Sequence, residues 1–233
     1  MFGLLKMALL YKRIKNDLAK CPPFLFHPYN ELGLRSVNRQ EFIVEACKNK
    51  RVLHFGFLDS PLLEDKIKQN NLLHQEIRQH ASFLFGVDVD EKSLNIYRDV
   101  TGDFDNVVAD IQEEIDCPQL INNFELILLP EVLEHVANPG RFLTTLRKIC
   151  VLNNNAKLYI TVPNAFSIES YIAAMNNFEY VHPEHYYYFS PRTLSKLLSD
   201  CGYRKIDLIF YAHGYMKIAP ALTKNGIIAL CEP

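Results

Sequence analysis

RVLHFGFLDSP, residues Arg51–Pro61, is the stretch from which the fold is read: a short apolar run, a turn at Gly56, and a polar corner with Pro61 placed to open a helix. An apolar run that ends in a glycine turn and passes into helical spacing is how a nucleotide-binding βα unit begins in an open α/β sheet. Only Gly56 stands where several glycines are expected. The surrounding chain therefore carries the argument.

Downstream, strand and helix patterns alternate. Leu62, Leu63, Ile67, Leu72, Leu73 and Ile77 have helical spacing from Pro61 to about His80, with Asn70 and Asn71 as an interruption. SFLFGV (82–87) is nearly continuous in apolar residues, as in a strand covered on both faces, and it ends at Asp88. Asp90 is placed to cap the next helix, with Leu94 and Tyr97 facing inward. A short strand over Asn106–Ala109 ends at Asp110, and FELILL (124–129) runs into Pro130 and Glu131. Asn138 and Pro139 supply a cap and a first-turn proline for a helix whose stripe is Phe142, Leu143, Leu146, Ile149 and Cys150. KLYITV (157–162) is another buried strand, ended by Pro163. A weakly helical and then irregular aromatic segment, about 165–190, reads as a lid or pocket wall. Ser190 and Pro191 open a helix that Gly202 ends. Lys205–Tyr211 and Gly226–Cys231 follow with no helix between them, hence an antiparallel pair at the sheet's edge. The expected fold is α/β and Rossmann-like: a seven-stranded, mostly parallel sheet with helices on both faces and an antiparallel C-terminal hairpin.

Upstream, Asn38 is placed to cap a helix over Arg39–Cys47 that delivers the chain to the first strand. CPPFLFHPY (21–29) holds three prolines and reads as a linker. Leu4, Leu5, Ala8, Leu9 and Ile14 suggest an amphipathic helix, broken by Lys6 and far shorter than the roughly 20 apolar residues of a membrane span. That helix either covers a pocket or packs on the sheet, or it meets a membrane surface or partner. Residues 1–48 are thus read as a helical cap and linker, and 49–233 as the main domain.

Composition narrows the function. A net charge of −2 over 233 residues offers no basic stripe for nucleic acid or anionic membrane, which favours a small-molecule substrate. Six cysteines without a CxxC pair argue against a zinc knuckle or redox dithiol and fit buried thiols in the cytoplasm.

Ligands of open α/β sheets bind beyond the carboxyl ends of the strands, where Gly56, Asp88, Asp110, Pro130 and Glu131 all fall. Asp88 can accept hydrogen bonds from ribose hydroxyls. Asp110 can accept from an adenine amine while Ile111 packs on the ring, or it makes an Asx turn. If a helix begins at Pro130, Glu131, Glu134 and His135 share one face at i, i+3 and i+4, and His182 and His185 can join them. Such a set can handle protons, hold a divalent ion, or cap backbone amides. His135 and His185 are the best proton acceptors, and no residue is assigned as a metal ligand.

VLHFGF, FGVDVD, VVADI, FELILLPEVLEHVANPGRFL and KLYITVPN, in that order, resemble the motifs of class I S-adenosylmethionine-dependent methyltransferases, in the branch similar to ubiquinone-pathway O-methyltransferases. The resemblance covers roughly 50–211, and HPEHYYYFSPRTLSKLL is similar to a segment common in that branch. It implies S-adenosylmethionine as cofactor, S-adenosylhomocysteine as product and a small-molecule methyl acceptor, a metabolite or saccharide. By this resemblance Gly56 packs against the methionine part, Asp88 holds the ribose, Asp110 and Ile111 meet the adenine and Pro130 lies beside the sulfonium, with His54 and Val89 also counted among the cofactor-binding residues. His54 stands where the family has an acid, and Leu58 and Ser60 where it has glycines; Asp59 is a candidate replacement for the lost acid. The eroded turn raises a non-catalytic binding protein as the rival. The ExxEH set is similar to the metal site of RNA 3′-terminal 2′-O-methyltransferases and raises that activity as another.

Overall fold

The computed structural model describes residues 36–60, 62–112, 117–212 and 220–233, together with the helical positions Leu9, Lys12, Arg13 and Asn16. The expected N-terminal amphipathic helix is otherwise outside the described residues, as are the linker over Cys21–Tyr29 and Pro61. Leu34–Pro233 forms one compact unit.

Eight strands make one sheet: β1 (Ser36–Val37), β2 (Arg51–Phe55), β3 (Phe83–Asp88), β4 (Asn106–Val108), β5 (Leu126–Pro130), β6 (Lys157–Pro163), β7 (Arg204–Tyr211) and β8 (Gly226–Glu232). Their order is β1-β7-β8-β6-β5-β2-β3-β4. The expected count of seven is corrected by β1, which pairs in parallel with the end of β7, Ser36 against Phe210 and Val37 against Tyr211. Two residues are too few to show a period of two. The last two strands do pair antiparallel, Leu208 against Ala229, but β8 also pairs antiparallel with β6, Ile160 against Ala229. The hairpin therefore does not lie at an edge. Gly226–Ala229 are all buried, the character of a strand covered on both faces.

Helices α1 (Arg39–Cys47), α2 (Leu63–Lys68), α3 (Leu73–Arg78), α4 (Glu91–Thr101), α5 (Pro139–Leu152), α6 (Ile168–Met175) and α7 (Pro191–Asp200) fill the connections. The expected caps form. Asn38 accepts from Gln40 N–H at 3.1 Å, Asp90 from Ser93 N–H at 3.1 Å, and Asn138 from Arg141 N–H at 3.1 Å. Asn70, at φ +52°, divides the helical stretch after β2 into α2 and α3. All five residues of the α5 stripe are buried and join Leu53, Phe55, Ile127 and Leu129 in the largest core. Val52, Leu126 and Leu128 point to the other face, against Ile43 and Cys47 of α1 and Ile77 of α3.

That second face also holds a polar pair. His54 and His74 are 1% and 0% exposed, with their Nδ1 atoms 3.1 Å apart. One Nδ1 must donate and the other accept, which requires opposite neutral tautomers. Burial pushes His54 down to about 3, helped by the Arg39 charge, and pushes His74 well below the ordinary range. Unfolding returns both rings to a normal pKa, so the unfolded chain binds more protons below pH 6.5. Stability is therefore full above pH 6.5 and falls as pH drops toward 3, with each ring adding up to ~1.4 kcal/mol per pH unit. Urea unfolding at pH 7.5, 6.0 and 5.0 should show the loss, and His54→Gln should flatten its slope. A pH-independent unfolding free energy between 7.5 and 5.0 would refute the neutral pair.

Candidate active site

The turn after β2 meets the turn after β5 at the carboxyl end of the sheet. Gly56 has φ +66°, and a Cβ there would lie 2.2 Å from Val132 Cγ2, so only glycine allows the two loops to close. Beside this contact is a cleft of about 70 Å³ lined by Gly56, Asp88, Val89, Asp110, Ile111 and Val132, with Phe142 at its side. Five of the seven expected cofactor-binding residues converge on it. His54 does not line it, because its ring turns under the loop onto His74. Pro130 does not either; it is buried at the end of β5, paired with Thr161.

Asp88 is fixed by backbone. Its Oδ1 accepts from Val89 N–H at 2.8 Å and Asp90 N–H at 3.2 Å, and its Oδ2 from Leu58 N–H at 3.1 Å. A carboxylate oxygen has two lone pairs, so Oδ2 retains one for a ribose hydroxyl. Burial raises the Asp88 pKa against the pull of those three amides. Asp110 makes the Asx turn, accepting from Gln112 N–H at 2.9 Å through Oδ1, a bond that does not require Oδ2. Ile111 is buried at 1% exposure. The residues present have the chemistry that a nucleoside would need: two carboxylates with acceptor capacity left and an apolar wall.

The eroded glycine turn is repaired from within. Leu58 and Phe57 turn away from the cleft into a small core with Leu63, Leu72, Leu94 and Tyr97. Phe57 occupies the space that Gly86 leaves open, where a Cβ would lie 2.5 Å from the ring. Ser60 meets Ser93 at 3.3 Å, and Asp59 pairs with Lys66 at 2.6 Å in solvent rather than replacing the lost acid.

No helix begins at Pro130, which corrects the expected common face of Glu131, Glu134 and His135. Glu131 has φ +53°, and the chain then makes a single 3-10 turn over Leu133–His135. The carboxylate of Glu131 accepts from Thr161 Oγ1 at 2.6 Å and Tyr211 Oη at 2.7 Å and lies 3.5 Å from Arg39 Nη1. Glu134 is fully buried, with neither carboxylate oxygen hydrogen-bonded. Its pKa is pushed up to about 9, first by burial and then by the Glu131 charge, so at neutral pH it is an uncharged acid. His135 alone turns toward the lid, where His182 and His185 meet it. The ring centroids are 4.6 Å (135–185), 5.1 Å (182–185) and 5.7 Å (135–182) apart. Among the described residues the ligand atoms that converge are those of the three histidines, without either carboxylate. The two-carboxylate metal site that the resemblance implied does not fit this arrangement.

The lid adds a second cleft of about 380 Å³, lined by Ser167, Ser170, Tyr180, His182, His185, Tyr188 and Asn225 among others. Tyr186 N–H donates to Glu134 O at 2.8 Å, and Tyr187 Oη to Ala137 O at 3.0 Å, which tie the lid to the turn after β5. Arg39, Thr161 and Tyr211, which hold Glu131, carry no spacing signal; Tyr211 is 80 residues away from its partner.

A methyltransferase-domain family model matches residues 69–208, beginning after the eroded turn. No curated protein sequence matches the chain. Among solved structures, an S-adenosylmethionine-dependent methyltransferase from Thermotoga maritima superposes with TM-score 0.58 at 13% identity, over 88% of this chain and 92% of that one. One from Aquifex aeolicus gives 0.54 at 15%, over 88% and 93%. The small RNA methyltransferase HEN1 gives 0.55 at 14%, over 83% of this chain but 24% of its own. At these identities the superpositions establish a common fold, and the family match, over more than half of the sequence, places the chain in the methyltransferase-domain family.

Proposed function

We propose that this protein transfers a methyl group from S-adenosylmethionine to a hydroxyl oxygen of a small metabolite or saccharide in the cytoplasm. The observation that carries the reading is the pairing of two clefts at one end of the sheet. One is lined by the nucleoside-compatible set Gly56, Asp88, Asp110 and Ile111, the other by lid residues 165–190 and histidines. The donor cleft takes the cofactor, with Asp88 on the ribose and Ile111 against the adenine; Val89 adds its backbone beside the ribose. His54 and Pro130 support that cleft from beneath. The serines, Asn225 and tyrosines of the second cleft offer the hydroxyl and amide partners that a polyol requires.

Methyl transfer from a sulfonium is an in-line displacement: the acceptor oxygen forms a bond to the methyl carbon as the sulfur–carbon bond breaks. Positioning supplies most of the acceleration. His135 or His185 takes the hydroxyl proton, adding about 10²- to 10⁴-fold. A net charge of −2 favours a small acceptor over nucleic acid.

Calorimetric titration with S-adenosylhomocysteine should show one site, weakened at least tenfold by Asp88→Ala. No binding of either S-adenosylmethionine or S-adenosylhomocysteine at millimolar ligand would sink the reading and leave a non-catalytic fold. Once an acceptor is found by transfer of labelled methyl to a sugar and metabolite panel, His135→Ala should cut kcat by about 10²-fold or more while product binding is retained. An unchanged kcat in both His135→Ala and His185→Ala would remove the proton-acceptor role.

A further inference from the structure

We infer that His135, His182 and His185 form a nitrogen-only site for a divalent transition ion of the zinc class, whose occupancy blocks methyl transfer. One ring nitrogen from each residue lies within 4.8 Å of the other two. Zinc–nitrogen bonds of about 2.0–2.1 Å place tetrahedral ligands about 3.3 Å apart, so a modest inward turn of the rings closes the site. The lid can supply that turn, because His182 is exposed on an irregular segment. His185 Nδ1 is closed off from solvent and has no hydrogen-bond partner, an orphan that a bound ion satisfies.

The surroundings favour ligation. Glu184 Oε2 is 3.8 Å from His135 Nδ1, near enough to offset part of the ion's charge. His182 Nδ1 accepts only a long 3.3 Å bond from Glu184 N–H, which ligation through either ring nitrogen can exchange.

The donor set decides the ion. Magnesium and calcium take several oxygen ligands, and of the nearby carboxylates Glu131 is held by Arg39, Thr161 and Tyr211 and Glu134 lies in the interior, which leaves Glu184 alone beside three imidazoles. Imidazole suits zinc, cobalt, nickel and copper. A coordinated imidazole nitrogen has no lone pair for a proton, so ion binding and proton acceptance exclude each other at His135 and His185. The inhibitory consequence rests on the proposed function; the binding itself does not.

Chelator-stripped full-length protein titrated with zinc chloride should bind about one equivalent, at least 100-fold more tightly than magnesium, and cobalt(II) should develop a visible absorption band. His182→Ala should weaken zinc at least tenfold. Where methyl transfer is measurable, zinc should inhibit the wild type, and chelation should restore the rate. Absence of zinc binding at 100 µM, equal affinity for magnesium, or undiminished zinc binding in His182→Ala would overturn the inference. Zinc binding with those properties in a protein that fails to bind S-adenosylhomocysteine would uphold the site and overturn only the methyl-transfer reading.

Discussion

The contact between Gly56 and Val132 is the constraint on which the rest of the site depends. β2 and β5 are neighbours in the sheet, and the strand order runs outward from them in opposite directions, through β3 and β4 on one side and β6 and β8 on the other. Open α/β sheets part their loops at such a point, which leaves a crevice for a ligand. Here the two loops approach so closely that no Cβ fits at position 56. The approach narrows the crevice to one cleft and sends the chain after β5 toward the lid. A larger residue at 56 would displace Val132, and with it the turn that carries His135.

The glycines missing from the turn after β2 are replaced by a different solution to the same packing problem. A glycine-rich loop keeps room for ligand by having no side chains. This loop keeps room by burying them: Phe57 fills the space above Gly86, and Leu58 joins the core beneath α2 and α4. Burial of two such side chains contributes on the order of 3–6 kcal/mol. It also places Leu58 N–H on Asp88, so the substituted residue orients a carboxylate that lines the cleft. The substitution of His54 for an acid has the same character, since its ring is spent on His74 rather than on the cleft.

Most of the fold was legible because its signals are local. A cap such as Asn138 followed by Pro139, or a continuous apolar run such as 126–129, depends on residues within one turn or one strand of each other. The convergence of Gly56, Asp88 and Asp110 on one cleft was legible for a related reason: each ends a strand, and parallel strands end on one side. What sequence spacing misread was the segment after β5. Glu131, Glu134 and His135 have helical spacing, yet Glu131 adopts φ +53° at a cost of about 1–3 kcal/mol. The conformation persists because Thr161, Tyr211 and Arg39 grip its carboxylate, and those partners are far away in sequence. β1 and the interior place of β8 were hidden in the same way, being consequences of pairing rather than of local pattern.

The misread turn also separates the two kinds of acid–base group that spacing had put together. Anchoring Glu131 and burying Glu134 in neutral form keep both carboxylates from direct contact with the three rings. Three imidazoles then face one another with a single carboxylate, Glu184, nearby and largely in solvent. Neutral imidazoles close together are stable only while unprotonated, since two positive rings at 4.6 Å repel strongly in a half-buried site. The same architecture that keeps Glu131 and Glu134 off the three rings thus leaves their nitrogens unprotonated, with lone pairs open to a partner.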